Sequence, residues 1–511
     1  MSRLTAREPL APTVVGRWVA ERARLAPAAL ALVGAEQRYT YRELDELSSA
    51  VARGLVARGV GPGERVAVVS ENRPEVVILL FACAKAGAIL FPMNWRLTNA
   101  ELAPQLDLMA PRVWVASEAQ RARVDGSLTG RWGPPERLEW VVSELAVAGE
   151  GRALPVVAED AGLLVIATSG TTGRPKGVLL THANFFWTNL SLDFVAPITD
   201  SDVVLQVLPQ FHIGGWNVQP MQAWLKGATV LLESSFDPGR VLDLIERERV
   251  TTMAGVPTTF LMVGEHPRFA TADLSSLRHV VVGGAAMPAT VAARWSERGV
   301  ALHQGYGLTE AGPNVFCLDA RDAAAHPCTV GHPYPFVDVA LVDPTTGSSV
   351  DGPGEGELHV RGPGVFPGYW HDEAATAAVL VDGWLRTGDI ASRDADGYYS
   401  IAGRVKEMFV SGGENVYPVE VENVLTSFPG VVCAAVVAVD HSRWGETGVA
   451  YVEVAPGAAI DLDALEAHCR VRLAGYKVPT RVVVVDELPR NAVGKIDKAR
   501  LRALASTVVQ P

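Results

Sequence analysis

The stretch TSGTTGRPKG, residues 168–177, carries the strongest structural information in this chain. It directly follows the apolar run LLVIA (163–167). An apolar run that leads into a loop of Gly, Ser and Thr indicates a buried strand that ends in a turn. Such a turn exposes backbone N–H groups and hydroxyls to an anion, and Lys176 adds a positive charge. The stretch therefore predicts a polyphosphate site.

Two other phosphate-binding loops do not fit this stretch. The Walker sequence G-x-x-x-x-G-K-[ST] is excluded because Gly177 follows Lys176. The dinucleotide sequence G-x-G-x-x-G does not occur at this spacing. Taken alone, the stretch is also compatible with a solvated surface turn, so its interpretation depends on the rest of the chain.

The bulk properties indicate a globular protein of more than one domain. The chain has 511 residues, of which 48% are apolar and 20% charged. A net charge of −12 argues against a nucleic-acid partner, because such binding depends on neutralising phosphates. Residues 470–502 are an exception, with nine Lys and Arg against three Asp and Glu. We interpret this excess as serving polyanionic substrates, although one basic helix face is the simpler alternative.

Neither a membrane span nor a disulfide framework is predicted. The five cysteines form no C-x-x-C pair, which also argues against a zinc site and fits a reducing compartment. The N-terminal residues lack the apolar segment of a signal peptide, and the C-terminal residues VVQP are not a peroxisomal address. The most apolar stretch, 76–91, is shorter than a membrane span and contains Lys85, so we predict a buried helix and strand there. These features predict a cytoplasmic protein.

The texture of the sequence changes twice along the chain. From about 40 to 300, β-branched apolar runs alternate with helical stretches, which predicts parallel sheets covered by helices in an α/β fold. After Gly331, short strands alternate with Gly/Pro turns and predict a small β-barrel-like subdomain. From about Met408, a separate small α/β unit is predicted.

Further motifs follow the phosphate stretch in a fixed order. They are LPQFHIGG (208–215), VVGGA (281–285), QGYGLTE (304–310), WLRTGD (384–389), GRVKEMFVSGGENVYPVEVE (403–422) and PRNAVGKIDK (489–498). Together with TSGTTGRPKG, they resemble the adenylate-forming superfamily of acyl- and aryl-CoA synthetases, peptide-synthetase adenylation domains and firefly-type luciferases. The resemblance covers most of the chain.

This resemblance implies a two-step reaction and a two-domain architecture. A carboxylic acid attacks the α-phosphate of ATP to form an acyl-adenylate and pyrophosphate, and the thiol of CoA then takes the acyl group and releases AMP. ATP, Mg²⁺ and CoA are the implied cofactors and co-substrates. Because negative charge accumulates at one phosphorus, catalysis depends on positioned cations and donors. The implied domains are a large one (1–402), a hinge (403–407) and a mobile C-terminal one (408–511).

The resemblance also implies the nucleotide site. The residues expected to bind ATP or AMP are Thr168, Ser169, Gly170, Thr171, Thr172, Gly173, Lys176, Gly284, Ala285, Gln304, Gly305, Tyr306, Gly307, Thr309, Asp389, Arg404 and Lys495. Tyr306 is expected to stack on adenine, and Asp389 to accept both ribose hydroxyls. Thr309 and Glu310 are the expected metal side chains.

Lys495 and Lys406 have distinct expected roles. Lys495, in the Gly-containing stretch VGKID, is expected to stabilise the α-phosphate during adenylation. Lys406 occupies the family's hinge position, where the chain pivots between the two half-reactions. Catalytic roles are thus implied for Lys495, Thr309 and Glu310, and for His212, which takes the family's gate position between the acyl site and the thiol.

Acyl and CoA sites complete the expected set. The acyl pocket is expected to be walled by His212, Ile213, Gly214, Gly283, Gly284, Gly305 and Val315. The CoA residues are expected to be Ser411, Gly412, Gly413, Trp444, Tyr476 and Lys477. No Arg or Lys occurs in FHIGGWNVQPM (211–221), which disfavours a dicarboxylate, and no Asp is present there to hold an amino group.

We therefore predict an ATP-dependent carboxylate–CoA ligase for a fatty or aromatic monocarboxylic acid. The alternatives are an enzyme that loads a carrier protein, a luciferase-like oxygenase and an inactive binding protein. Small-molecule acid, ATP and CoA are the predicted partners. The choice between a monomer and a homodimer stays open.

Overall fold

The computed structural model describes residues 12–508 except for 125, 150, 170–174, 320, 324, 327–328, 412–413, 442–443, 456, 459 and 491–495. The chain divides into two compact units. The first comprises Met1–Val339 and Val360–Leu385, and the second comprises Ala340–His359 and Arg386–Pro511. The predicted domain bounds 1–402 and 408–511 stay predictions, and helix Pro418–Thr426 packs against strand Tyr399–Arg404 inside the second unit. The hinge at 403–407 stays a prediction.

The first unit is built on two mainly parallel sheets. In the described residues, the larger sheet has nine strands, in the spatial order His332–Pro333, Phe316–Leu318, Leu302–Tyr306, His279–Val282, Thr252–Gly255, Val203–Gln206, Thr229–Leu232, Leu30–Val33, Arg38–Thr40. The described part of the second sheet has seven, in the order Gly368–Tyr369, Pro175–Thr181, Gly162–Ser169, Ile89–Met93, Arg65–Val69, Val113–Ala116, Glu136–Arg137. Antiparallel pairing occurs towards the sheet edges and includes the strands of the stretches TSGTTGRPKG and QGYGLTE.

Helices cover these sheets. Those of the first unit are Trp18–Leu25, Tyr41–Ala57, Pro74–Ala86, Asn99–Met109, Glu118–Arg121, Gly126–Trp132, Leu138–Ala148, His182–Val195, Gly214–Asn217, Pro220–Lys226, Pro238–Arg247, Pro257–Glu265, Ala289–Glu297 and Glu373–Val379. Several begin with proline, which has no N–H to leave unpaired and a suitable φ at the first helical position. Helix Tyr41–Ala57 instead starts with a capping box between Thr40 and Glu43.

Large apolar side chains fix the helices on the larger sheet. Trp295 is fully buried, packs edge-on against Phe260 and donates its indole N–H to the Phe260 carbonyl at 2.9 Å. Burying a large aromatic side chain contributes roughly 1.5–3 kcal/mol. Strand His279–Val282 lies in this core, so its carboxyl end, which carries Gly283, has a rigid base.

The smaller sheets belong mainly to the second unit. One contains Asp338–Val342, Gly354–Arg361, Trp384–Arg393, Leu380–Val381 and Tyr399–Arg404. The other contains Glu414–Val416, Phe409–Ser411, Gly445–Val454, Val431–His441 and Arg481–Val485. The helices of the second unit are Pro418–Thr426, Leu462–Arg472 and Lys498–Val508.

The predicted α/β class is confirmed, with parallel-type sheets, a small curled sheet and a C-terminal α/β unit. The apolar stretch 76–91 forms the buried helix Pro74–Ala86 and strand Ile89–Met93, as predicted. Among the helices of the described residues, none combines the length and apolar character needed to cross a membrane. Cys83, Cys317, Cys433 and Cys469 are free thiols, and Cys328 lies outside the described residues.

Candidate active site

The predicted phosphate stretch begins and ends in a β-hairpin. Strand Gly162–Ser169 pairs antiparallel with Pro175–Thr181, and Thr168 is opposite Lys176. The Thr168 hydroxyl lies 3.5 Å from the Lys176 carbonyl oxygen. Four predicted nucleotide residues lie between the two strands and outside the described residues, namely Gly170, Thr171, Thr172 and Gly173. The hairpin therefore fixes the two ends of the stretch, and Ser169 is the last residue of the first strand.

The motif QGYGLTE lies on an antiparallel edge of the larger sheet. Tyr306 ends strand Leu302–Tyr306 and pairs with Phe316, with ring centroids 5.9 Å apart. A Cβ at Gly307 would lie 1.3 Å from the Pro313 carbonyl oxygen. Only glycine allows so close a backbone approach, which folds the motif back beside Tyr306.

Thr309 and Glu310 follow in a single 3₁₀ turn, Thr309–Ala311. The Glu310 carbonyl accepts the Phe366 N–H at 2.8 Å, and its carboxylate oxygen Oε1 accepts the Tyr369 hydroxyl at 2.9 Å. Both contacts come from one distant segment, which therefore fixes the turn and orients the carboxylate.

Lys176 reaches the same tyrosine. Its ammonium nitrogen lies 4.7 Å from the centroid of the Tyr369 ring, within cation–π range. Among the described residues, no carboxylate lies within ion-pair distance of Lys176. The structure thus brings the predicted phosphate lysine and the predicted metal carboxylate onto one aromatic side chain.

The VVGGA motif lies beside the QGYGLTE strand. A Cβ at Gly283 would have the Gly305 carbonyl oxygen as its nearest neighbour, at 3.7 Å. Gln304 joins the segments further, because its amide accepts the Met287 N–H at 3.1 Å and donates to the Ala285 carbonyl at 3.2 Å. Gly284 is exposed with a left-handed φ of 82°.

The remaining predicted acyl residues lie on two further segments. His212 is half-buried, with its ring 4.6 Å from Phe211, and Ile213 is buried. A Cβ at Gly214 would meet Leu208 at 3.5 Å, and Leu208 packs against the apolar cluster that contains Val281 and Cys317. The Val315 N–H donates to the Tyr306 carbonyl at 3.0 Å, and Val315 is fully buried.

In the second unit, Asp389 and Arg404 form an ion pair. They are opposite each other on paired strands, and Arg404 Nε lies 2.8 Å from Asp389 Oδ1. The Asp389 side chain is 6% exposed and that of Arg404 is 56% exposed. The aspartate predicted for the ribose is therefore buried beneath a cation that reaches solvent.

The predicted hinge is a tight turn. The N–H groups of Glu407 and Met408 both donate to the Arg404 carbonyl at 3.0 Å, and Lys406 is exposed at its tip. Glu407 accepts the Lys498 ammonium at 2.8 Å, and Lys498 lies just beyond the stretch that contains Lys495. Lys495 itself lies outside the described residues.

Lys498 is held between two carboxylates. It also lies 2.8 Å from Glu422, whose side chain is 14% exposed. Burial lowers the pKa of Lys498, but Glu422 and Glu407 outweigh it and the net shift is upward. Burial raises the pKa of Glu422 despite Lys498. This lysine is an internal cation that anchors helix Lys498–Val508.

The predicted CoA residues are spread over several segments of the second unit. Ser411 is buried at the end of strand Phe409–Ser411, whereas Trp444 is 42% exposed. Tyr476 and Lys477 share the turn Gly475–Lys477, and the Lys477 ammonium lies 2.7 Å from both carboxylate oxygens of Glu420. Gly412 and Gly413 lie outside the described residues.

Comparison with protein-family models gives two matches. The AMP-binding enzyme model matches residues 19–370, which is more than half of the chain, and the AMP-binding enzyme C-terminal domain model matches residues 420–495. The chain belongs to the AMP-binding enzyme family. The first match covers the phosphate hairpin, the VVGGA and QGYGLTE segments and Tyr369.

Relatives of this AMP-binding enzyme are named as CoA synthases and ligases. It is 44% identical over 490 residues to the feruloyl-CoA synthase of Amycolatopsis sp, covering 96% of this chain and 98% of the relative. It is 38% identical over 503 residues to the indoleacetate–CoA ligase of Aromatoleum aromaticum, covering 96% and 98%. Among solved structures, ATP-bound MatB from Rhodopseudomonas palustris superposes with a TM-score of 0.89, at 31% identity and covering 98% and 100% of the two chains.

These matches confirm the predicted reaction class. The protein is an AMP-forming acid–thiol ligase, in which ATP activates a carboxylic acid as an acyl-adenylate and CoA then accepts the acyl group. The two units of this AMP-binding enzyme carry the matching motifs in the predicted order.

Two oxygen donors of the QGYGLTE motif suit a Mg²⁺ ion that arrives bound to ATP. Mg²⁺ is usually bound by one or two carboxylates together with substrate phosphates. In the described part of this AMP-binding enzyme, no three His, Cys, Asp or Glu side chains form a metal cage. Glu310 offers a carboxylate oriented by Tyr369, and the adjacent Thr309 offers a hydroxyl. These two donors fit a Mg²⁺ ion whose other ligands are phosphate oxygens.

The structure adds two residues to which the sequence analysis gave no role. Tyr369 contacts Lys176 and Glu310. Arg96 of the segment 94–98 places its guanidinium 5.7 Å from the Phe211 ring, beside His212. Both residues lie far in sequence from the motifs that they touch, so no local pattern indicated them.

Proposed function

We propose that this enzyme activates an aromatic monocarboxylic acid with a flat apolar tail and transfers it to CoA. The reaction class follows from the family, whereas the identity of the acid is the proposal. A fatty acid, which the sequence also allows, is the alternative substrate. The glycines of the predicted acyl wall support an aromatic substrate.

Gly283 and Gly305 support this substrate because the backbone does not require glycine at either position. A Cβ would have its nearest neighbour at 3.7 Å for Gly283 and 3.5 Å for Gly305, which are ordinary contacts, and neither residue has a left-handed φ. In contrast, a Cβ at Gly215 would lie 2.3 Å from the Pro209 carbonyl oxygen. The missing side chains at 283 and 305 therefore leave space beside neighbouring strands, and a planar group suits such a space.

Backbone carbonyl oxygens are the nearest atoms to these Cβ positions, and apolar side chains lie next to them. Val281 lies 4.0 Å from the Cβ position of Gly305, and buried Val315 follows on the adjoining segment. The relatives named for feruloyl and indoleacetate groups act on carboxylic acids with planar aromatic tails, which agrees with this wall.

We propose the following division of work among the side chains. Lys176 binds the β- and γ-phosphates, Thr309 contacts the α-phosphate and Tyr306 stacks on adenine. Glu310 and Thr309 hold Mg²⁺, which when bound neutralises part of the polyphosphate charge. Lys495 stabilises the α-phosphate, and Asp389 accepts the ribose hydroxyls.

In the first step, a carboxylate oxygen bonds to the α-phosphorus and the bond to pyrophosphate breaks. In the second, the CoA sulfur bonds to the acyl carbon, its proton is released and AMP leaves. We propose that His212 lines the path between the acyl group and the thiol. Lys406 is the pivot between the two steps, and Ser411, Trp444, Tyr476 and Lys477 contact CoA.

The test is AMP release measured with and without CoA, using ferulate, indoleacetate, octanoate and malonate. The aromatic acids should give the highest kcat/KM, and Gly305→Leu should lower it for them because overpacking costs about 1–3 kcal/mol, or roughly tenfold to a hundredfold. Gly61→Ala is the matched control, since a Cβ there has nothing within 4 Å. Higher kcat/KM for octanoate or malonate would contradict the aromatic assignment.

A further inference from the structure

Tyr369 lies between two groups with proposed roles in binding Mg²⁺ and ATP. It belongs to strand Gly368–Tyr369, which pairs antiparallel with Pro175–Thr181 so that Tyr369 is opposite Val178. Its backbone is therefore attached to the hairpin strand that carries Lys176.

The side chain of Tyr369 joins two opposite charges. Its ring lies 4.7 Å from the Lys176 ammonium, and its hydroxyl donates to Glu310 Oε1 at 2.9 Å. Among the ion pairs of the described residues, none links Lys176 to Glu310. A direct pair would neutralise both groups, whereas an aromatic face attracts a cation without cancelling its charge.

The position of Tyr369 is itself fixed. Its ring packs edge-on against buried Phe366 at 5.0 Å, and its backbone N–H donates to the Thr376 hydroxyl at 2.9 Å. Burial raises the pKa of the Tyr369 phenol, and the Glu310 carboxylate raises it further.

We infer that Tyr369 is a positioning residue for adenylation, which keeps Lys176 and Glu310 apart and oriented for Mg²⁺ and ATP. This inference rests on the proposed roles of these two residues. The ring positions the cation for the phosphates, and the hydroxyl positions the carboxylate for the metal. A purely structural tyrosine would affect folding without a specific effect on the metal.

The test separates the two contacts with Tyr369→Phe and Tyr369→Leu. Calorimetry would measure ATP binding across a Mg²⁺ titration and, separately, binding of a stable acyl-adenylate analogue, which has no β- or γ-phosphate. Tyr369→Phe keeps the ring but loses a hydrogen bond to a charged group, so the Mg²⁺ concentration for half-maximal ATP binding should rise about tenfold. Analogue binding should stay within twofold, and Tyr369→Leu should also weaken ATP binding at saturating Mg²⁺.

Two further variants make the result decisive. Tyr39→Phe removes a phenol hydroxyl on strand Arg38–Thr40 and should leave both titrations unchanged. Glu310→Gln should raise the Mg²⁺ requirement, and combining it with Tyr369→Phe should add little, because both changes remove the same interaction.

An unchanged Mg²⁺ requirement in Tyr369→Phe would overturn the inference, as would equal losses for ATP and the analogue. If Glu310→Gln still raises that requirement, the proposed role of Glu310 survives the failure. If Glu310→Gln also leaves the requirement unchanged, the metal assignment itself fails.

Discussion

Lys176 of the first unit is held differently from three cations of the second unit. In the first unit, Lys176 lies against the neutral ring of Tyr369. In the second unit, Arg404, Lys477 and Lys498 each lie within 2.8 Å of a carboxylate oxygen. The charge of Lys176 is therefore available to a substrate, whereas the other three charges are already paired with carboxylates of the protein.

This difference has a physical meaning for polyanion binding. An aromatic face does not neutralise the charge of a cation. Phosphates that displace water from this cation are therefore attracted by its full charge. A paired cation must share or exchange its carboxylate before it can bind a phosphate. The basic excess in residues 470–502 therefore overstates the positive charge available there, because Lys477 and Lys498 have partners.

The largest effect is expected at Lys176. Lys176→Met should lower kcat/KM for ATP by about 100-fold, because it removes a preorganised cation from the phosphates. Thioester formation from supplied acyl-adenylate, which lacks those phosphates, should change less than twofold. Both half-reactions would be followed by AMP and pyrophosphate release.

Lys226→Met is the matched control, since Lys226 pairs with Asp193 away from the phosphate hairpin. Equal loss of both half-reactions in Lys176→Met would remove the distinction between the two classes of cation.

At Lys498, the expected effect is on stability instead of catalysis. Lys498→Met leaves Glu422 buried without its cation and should destabilise the protein by about 3 kcal/mol. In the folded state, burial raises the pKa of Glu422 and the charge of Lys498 lowers it. Losing Lys498 therefore raises this pKa further. Proton uptake then favours the folded state, so the deficit should shrink as pH falls through the folded pKa of Glu422.

Thermal unfolding at pH 5 and pH 8 would measure this deficit, with Lys498→Arg as the variant that keeps the charge. A deficit that grows at pH 5 would show that Lys498 does not serve to compensate Glu422.

The smallest effect is expected at Glu420. Glu420→Gln releases the Lys477 ammonium from a partly exposed pair worth at most about 1 kcal/mol. If Lys477 binds CoA, the KM for CoA should fall by about two- to fivefold, while the KM for ATP stays constant. Glu466→Gln is the control, because it breaks a similar pair with Arg470. An unchanged or higher KM for CoA in Glu420→Gln would argue against Lys477 as a CoA ligand.

The sequence predicted local features well because they depend on neighbouring residues. The alternation of apolar runs gave the strands Arg65–Val69 and His279–Val282, and the helical pattern gave Tyr41–Ala57. The order of the motifs gave the reaction class. The resemblance to the adenylate-forming superfamily also implied that Lys176 and Glu310 serve one nucleotide site.

Contacts between distant segments could not be predicted from the sequence. Tyr369 follows a Gly/Pro-rich stretch that predicted a barrel-like subdomain, yet its short strand joins the sheet of the phosphate hairpin. Likewise, the Lys477–Glu420 pair joins residues 57 positions apart. Strand register and side-chain geometry determine such contacts, and no periodic pattern in the sequence indicates either of them.

The pairing of Tyr369 with Val178 also means that the phosphate hairpin gains this neighbouring strand late in synthesis. The hairpin strands are local and can form early, but their tyrosine leaves the ribosome about 190 residues later. At 5–20 residues per second, this is a delay of roughly 10–40 s. Nascent chains therefore carry the hairpin without Tyr369 until most of the first unit has been made.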